Sequence, residues 1–162
     1  MRQIAKDVGV QAGALYNYIN DKQTLLFDLM RGHMEALLKA WAEQDQSGTA
    51  LQRLERFTRF HIGYHLERPE EVFISYMELR NLTPENFREI EALRRRYEDQ
   101  LEQILRDGVA EGSFSIPDPK VATMAVIAMV TGVTTWYRTE GRLNEEEVAQ
   151  IYWTMVQKAV SA

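Results

Sequence analysis

His61 and His65 stand four residues apart in a stretch of helical spacing, and two imidazoles one turn apart can grip a zinc ion. A hydrolytic zinc site on this spacing also needs a glutamate directly after the first histidine as general base, and Ile62 stands there instead. His33 or Glu67 could supply a third ligand, but partly buried structural histidines explain the pair more simply, so no metal is expected. The chain has no cysteine, which removes cysteine-based zinc fingers and disulfide scaffolds. No Ser-His-Asp order can be assembled, and no glycine-rich loop follows a strand pattern to cradle phosphate. The run Glu145 to Glu147 reads as the first turn of a helix, not as an acid–base pair. Neither a catalytic residue nor a cofactor is expected, and the chain does not read as an enzyme.

Non-covalent recognition is better represented. Large, adaptable side chains recur on segments of helical period: Phe57, His61 and Tyr64 on one, Phe73, Tyr76 and Met77 on the next. Tyr97, Met124, Ile127 and Trp136 follow on later ones. Aromatic rings and methionines on converging helices suit a flat or chain-like apolar ligand. Arg80 and Arg138 lie beside these stripes, where a guanidinium can pair with a carboxylate or a phosphate.

A third chemistry sits near the N-terminus. From Ile4 to Leu26 the spacing predicts a short helix ending near Val8, a turn at Gly9, and a second short helix from about Gln11 to Tyr18. Ile4, Val8, Leu15 and Ile19 would pack between the two. Gln11, Ala12, Gly13 and Ala14 open the second helix with little bulk, so its backbone can approach a groove wall closely. Gln11, Ala12, Ala14, Tyr16, Asn17 and Tyr18 remain for the outside. From Met1 to Arg31 the basic residues Arg2, Lys6, Lys22 and Arg31 outnumber Asp7, Asp21 and Asp28, whereas the whole chain carries −5. Any contact with DNA must therefore be local.

The elements that position these groups are helical throughout, and the expected class is all-α. Apolar positions recur at helical spacing nearly everywhere, and no stretch alternates with strand period. A long helix should start near Asn20 with the stripe Leu26, Leu29, Met30, Leu37 and Trp41. A second carries Leu51, Leu54 and Phe57, and Pro69 suits the first turn of a third. Thr83 should cap a long charged helix whose inward stripe is Ile90, Leu93, Tyr97, Leu101 and Ile104, with Gly112 just past its end. A single apolar helix is expected from Asp118 and Pro119 through Trp136, and Asn144 with Glu147 makes a capping box for the last. The longest apolar run, Val121 to Val133, is shorter than the ~20 residues a membrane span needs. With no secretory pattern at the start, the cytoplasm is the expected compartment. The small residues Ala122, Ala125, Ala128 and Gly132 would let a second copy pack closely against this helix and the last one, giving a two-fold homodimer.

The pattern Ile4-Ala5, Gly9-Val10, then Gly13, Leu15-Tyr16, Tyr18-Ile19, Lys22 and Leu25-Leu26 resembles the DNA-binding motif of TetR-type transcriptional repressors. The resemblance implies a helix-turn-helix reading part over 1–30 and a ligand-binding and dimerisation domain over 31–162. It implies that Gln11, Ala12, Gly13 and Ala14 approach bases of a palindromic operator, while Tyr16, Tyr18 and Lys22 hold phosphates. Tyr18 stands where many members have histidine, and a phenol still donates to a phosphate oxygen. The family places a further helix before this motif, and this chain opens inside the next one. A dimeric small-molecule-binding module without DNA binding is therefore the alternative expectation. Asp118-Pro119-Lys120, Trp136-Tyr137-Arg138 and Gly141-Arg142-Leu143 resemble a subgroup that governs fatty-acid, steroid or aromatic-acid breakdown. That likeness implies an apolar or acyl-CoA-type effector that releases the repressor.

Overall fold

The computed structural model describes residues 22–161, and among these the chain is helical with no strand. Helix α1 spans Lys22–Ala42 and buries Leu26, Met30, His33, Met34, Leu37 and Trp41, a stripe of three- and four-residue steps. Leu29, expected on that stripe, lies at its edge and is half exposed. The helix runs unbroken across residue 30, where the sequence pattern divides reading part from sensing domain.

Helix α2, Ala50–Leu66, opens with a capping box in which Thr49 and Gln52 satisfy each other's backbone N–H. Pro69 takes the first position of α3, Pro69–Met77, and a 3-10 turn at Leu79–Asn81 leads on. Helix α4, Pro84–Ala110, is capped by Thr83, whose hydroxyl accepts from the Asn86 N–H. Beyond its end Gly112 adopts a φ of 75°, the left-handed conformation that ends helices and that glycine takes without strain.

Asp118 caps α5, Pro119–Thr131, and there the expected single helix stops. A separate turn, α6, covers Val133–Trp136. The side chains of Thr134 and Thr135 donate to the carbonyls of Thr131 and Gly132, 2.9 and 2.8 Å away. Hydroxyls that compete for backbone acceptors in this way interrupt a regular helix. The last helix, α7, Glu145–Val160, carries the expected Asn144–Glu147 box.

Helix α2 is the central element, packed against α4, α5 and α7, while α4 also takes α1 and α5 on its flanks. Phe57, Leu54, Ile62, Leu101, Leu105, Val130 and Val148 are wholly buried between them. A smaller cluster of Leu26, Met30 and Ile90 joins the start of α1 to α4. After α4 the chain turns back so tightly that the Phe114 ring lies on Gly108, and a Cβ there would meet ring carbon at 2.0 Å. No helix among the described residues is long and apolar enough to cross a membrane.

Candidate functional site

One turn apart on α2, His61 and His65 are both almost completely buried. Their rings stack face to face with centroids 3.9 Å apart, so their nitrogens do not converge on a common point. His65 Nδ1 lies 2.8 Å from the carbonyl oxygen of His61. A carbonyl only accepts, so Nδ1 carries the proton. His61 uses both nitrogens, Nδ1 at 3.2 Å from the Tyr97 hydroxyl and Nε2 at 2.8 Å from Thr131 Oγ1. Thr131 Oγ1 also lies 3.3 Å from the Tyr76 hydroxyl. Four elements are thereby tied together: α2, α4, α5 and α3. On α1, His33 Nδ1 stands 2.8 Å from Glu71 Oε2. No group of three acidic, cysteine or histidine side chains among the described residues is arranged to hold a metal.

Burial decides the protonation of this cluster. Desolvation pulls His65 down to about 4, with the backbone hydrogen bond from His61 opposing it and the charges of His33, Arg68 and Arg94 adding to it. His61 is held well below the ordinary histidine value by desolvation first, then by His65 and His33. Desolvation raises the Tyr97 phenol well above its ordinary value, so it keeps its proton. His61, His65 and Tyr97 thus present neutral hydrogen-bonding groups.

These groups line a chamber of about 200 Å³ bounded by α1, α2, α3, α4 and α5. His33, His61, His65, Ser75 and Tyr97 contribute polar groups, while Met34, Leu37, Met124 and Ile127 supply apolar wall. Arg94 lines it as well, with its guanidinium 4.4 Å above the Tyr76 ring and no ion pair among the described residues. Arg94 and Glu98 also line a neighbouring surface cleft with Glu91 and Arg95, which stand 3.9 Å apart as an ion pair. On the other side, Tyr76 and Ala128 separate the chamber from an open groove of about 800 Å³. The groove runs between α3 and the α5–α6 junction along Phe73, Met77, Gly132 and Thr135, and Glu70 is its one charged lining residue.

Of the residues the sequence pointed to for ligand binding, His61, Tyr76, Tyr97, Met124 and Ile127 come together at the chamber. Phe73 and Met77 line the groove with Tyr76. Phe57 is enclosed between Trp41, His61 and Tyr97, and Tyr64 packs under the Arg68 guanidinium at 4.0 Å; neither lines chamber or groove. Trp136 is half exposed and stacks on Tyr152, away from both spaces. Arg80 and Arg138 are exposed and line neither. Lys22 is exposed at the start of α1. Gln11, Ala12, Gly13, Ala14, Tyr16, Asn17 and Tyr18 lie outside the described residues.

Sequence reasoning missed His33, His65, Ser75 and Arg94 as lining residues. A signal existed for one of them. Arg94 follows Ile90 by four and precedes Tyr97 by three, which puts it alone of the run Arg94 to Arg96 on the inward face. Ser75 had none, because α3 turns Phe73, Tyr76 and Met77 outward and buries Ser75 with Val72.

The described helices pack around a small polar chamber, with an open apolar groove beside it. Residues 47–160 match the family described as tetracyclin repressor-like, C-terminal domain, and the chain belongs to that family. The transcriptional repressor KstR2 of Mycolicibacterium smegmatis is 29% identical over 162 residues, which covers 96% of this chain and 78% of KstR2. The TetR-family regulator PfmR of Thermus thermophilus superposes with a TM-score of 0.86 at 29% identity, over 97% of this chain and 86% of PfmR. AibR, solved with isovaleryl coenzyme A and operator DNA, gives a TM-score of 0.85 at 26% identity, over 96% of this chain and 85% of AibR.

Proposed function

We propose that the protein is a DNA-binding transcriptional repressor, released from its operator when an acyl-CoA-type effector places its acyl group in the chamber behind Tyr76. The observation that carries this reading is Arg94, an arginine with no carboxylate partner among the described residues, which lines both the chamber and the surface cleft beside it. An acyl group suits the chamber, and the phosphates of its carrier suit the side flanked by Arg94 and Arg95. AibR, with its bound isovaleryl coenzyme A, is a precedent on the same fold. The reading assigns no catalysis to the chain.

Helix α1 provides the mechanical link. It begins at Lys22, next to the helix-turn-helix pattern, and eleven residues later contributes His33 and then Met34 and Leu37 to the chamber wall. That is roughly 16 Å of continuous helix at 1.5 Å per residue. An effector that binds the DNA-incompetent tilt of α1 more tightly shifts the population toward it, whereas equal affinity for both states shifts nothing. In this reading Gln11 to Ala14 meet bases and Tyr16, Asn17, Tyr18 and Lys22 meet backbone. A homodimer supplies the two reading heads, covering the exposed apolar side chains Val121, Ile151 and Met155 on α5 and α7.

The test is calorimetry with isovaleryl-CoA and longer acyl-CoAs. Binding tighter than about 100 μM (some −5.5 kcal/mol) is expected, weakened at least about tenfold by Arg94→Ala and unchanged by Arg138→Ala. Absence of binding by any thioester overturns the effector reading.

A further inference from the structure

Two atoms of the chamber have nothing to bond. Ser75 is buried on α3, and its hydroxyl oxygen is enclosed without a hydrogen-bond partner among the described residues, so it reaches a group in the chamber by a turn of its side chain. His65 donates through Nδ1 to the His61 carbonyl, so in the neutral ring Nε2 is a lone-pair acceptor, and it too lacks a partner among the described residues. Both residues line the same chamber of about 200 Å³. His61, beside them, is already saturated by Tyr97 and Thr131. The space is smaller than the ~300–1,000 Å³ of a whole ligand pocket, so it receives the end of a molecule, not all of it.

A hydrocarbon end would desolvate an acceptor and a hydroxyl and leave both unpaired, which costs more than the hydrogen bonds themselves contribute. A ketone would set its oxygen lone pairs against that of His65 Nε2. A carboxylate would do the same and bring a charge beside His61 and His65, which burial keeps neutral. Of the hydrocarbon, ketone, carboxylate and hydroxyl ends an acyl chain can carry, the hydroxyl is the one that donates to an imidazole lone pair and still accepts from a serine.

We propose that the chamber is an alcohol-recognition site: the effector bears a hydroxyl on its acyl part that donates to His65 Nε2, with Ser75 Oγ as second partner. This rests on the effector reading above and narrows its ligand class from acyl-CoA to hydroxyacyl-CoA. Arg94 and the cleft beyond it serve the anionic carrier, so the polar selection at the buried end is separate from charge recognition at the mouth.

The experiment is calorimetry of the full chain with butyryl-CoA, 3-hydroxybutyryl-CoA, 4-hydroxybutyryl-CoA and acetoacetyl-CoA. At least one hydroxyacyl thioester should bind about tenfold more tightly than both the butyryl and the acetoacetyl compounds, the scale of one net hydrogen bond. His65→Phe keeps a ring against His61 and removes the acceptor, so the ratio of hydroxyacyl to butyryl affinity should fall to about one while butyryl-CoA still binds. Ser75→Ala should lower the same ratio about threefold, and it carries the test should His65→Phe fail to fold. Equal binding of all four thioesters, or a preference undiminished in the folded variants, overturns the alcohol site and leaves the effector reading standing. No binding of any thioester removes both.

Discussion

The Tyr76 hydroxyl lies 3.3 Å from Thr131 Oγ1, which in turn lies 2.8 Å from His61 Nε2, so one short chain of polar groups runs from groove to core. Tyr76 lines the groove and the chamber alike, and its ring is the partition between them. Arg94 rests on that ring. Removing the ring should merge the two spaces. Tyr76→Ala is expected to move the preferred acyl chain of bound thioesters to greater length, whereas Tyr76→Phe keeps the partition and the original preference. Calorimetry across a series of straight-chain acyl-CoAs reads this directly, and an unchanged length profile in Tyr76→Ala would show that the ring is not a partition.

Gly108 is a packing requirement. Phe114 lies across it, and an added methyl would overlap ring carbon at 2.0 Å with no solvent path for relief. Gly108→Ala should destabilise the fold by about 1–3 kcal/mol despite alanine's better helix propensity. Urea unfolding should show a lower midpoint with unchanged slope. Combining it with Phe114→Leu should recover part of the loss, since the two sites are in contact and their effects do not add.

The buried histidines make stability depend on pH in a defined window. His65 is held at about 4 in the fold against 6.5 when unfolded, and His61 is displaced in the same direction. As pH falls below 6.5 the unfolded chain binds protons that the native chain refuses until about 4. Stability is therefore fully present above pH 6.5 and drains away toward pH 4, on the order of 3 kcal/mol for His65. Melting temperature should be flat from pH 7 to 8 and fall by roughly 6–12 °C toward pH 4. The carboxylates Asp45, Glu102 and Asp107, all lowered by hydrogen-bonding partners, act in a more acidic window. His65→Phe should lessen the fall between pH 6.5 and 5, leaving the share due to His61; an undiminished fall there would assign the dependence to other groups.

Helices α5 and α7 expose Val121, Ile151 and Met155, and α6 exposes Trp136. Water against this much apolar side chain is unfavourable, and a second copy of the same face removes it. Sedimentation at micromolar concentration should give a dimer. Ile151→Asp with Met155→Asp should give a folded monomer, since both side chains are already exposed and contribute little to the protomer core. A monomer for the unaltered chain sinks the prediction.

Much of this protein is decided locally. The caps at Thr83 and at Asn144 with Glu147, the first-turn prolines, the helix end at Gly112 and the stripe from Ile90 to Ile104 are all legible in the sequence. Each depends on residues within a turn or two of one another, and helix periodicity reports that directly. The break at Gly132 was visible in retrospect as paired threonines, but whether their hydroxyls bond to the backbone is a competition that spacing alone does not resolve. The site was less legible. His61 and Tyr97 lie 36 residues apart, and His61 and Thr131 lie 70 apart. Nothing in their own neighbourhoods says that they share hydrogen bonds. The sequence by itself determined the helices, most of their inward faces, and the resemblance of the N-terminal pattern to a DNA reader. Only the tertiary structure decided that α3 turns Ser75 inward and Phe73 outward, and that Arg94 rather than Arg80 or Arg138 stands at the chamber. Rotation of a short helix about its axis is set by the partners it packs against, and those partners come from across the chain.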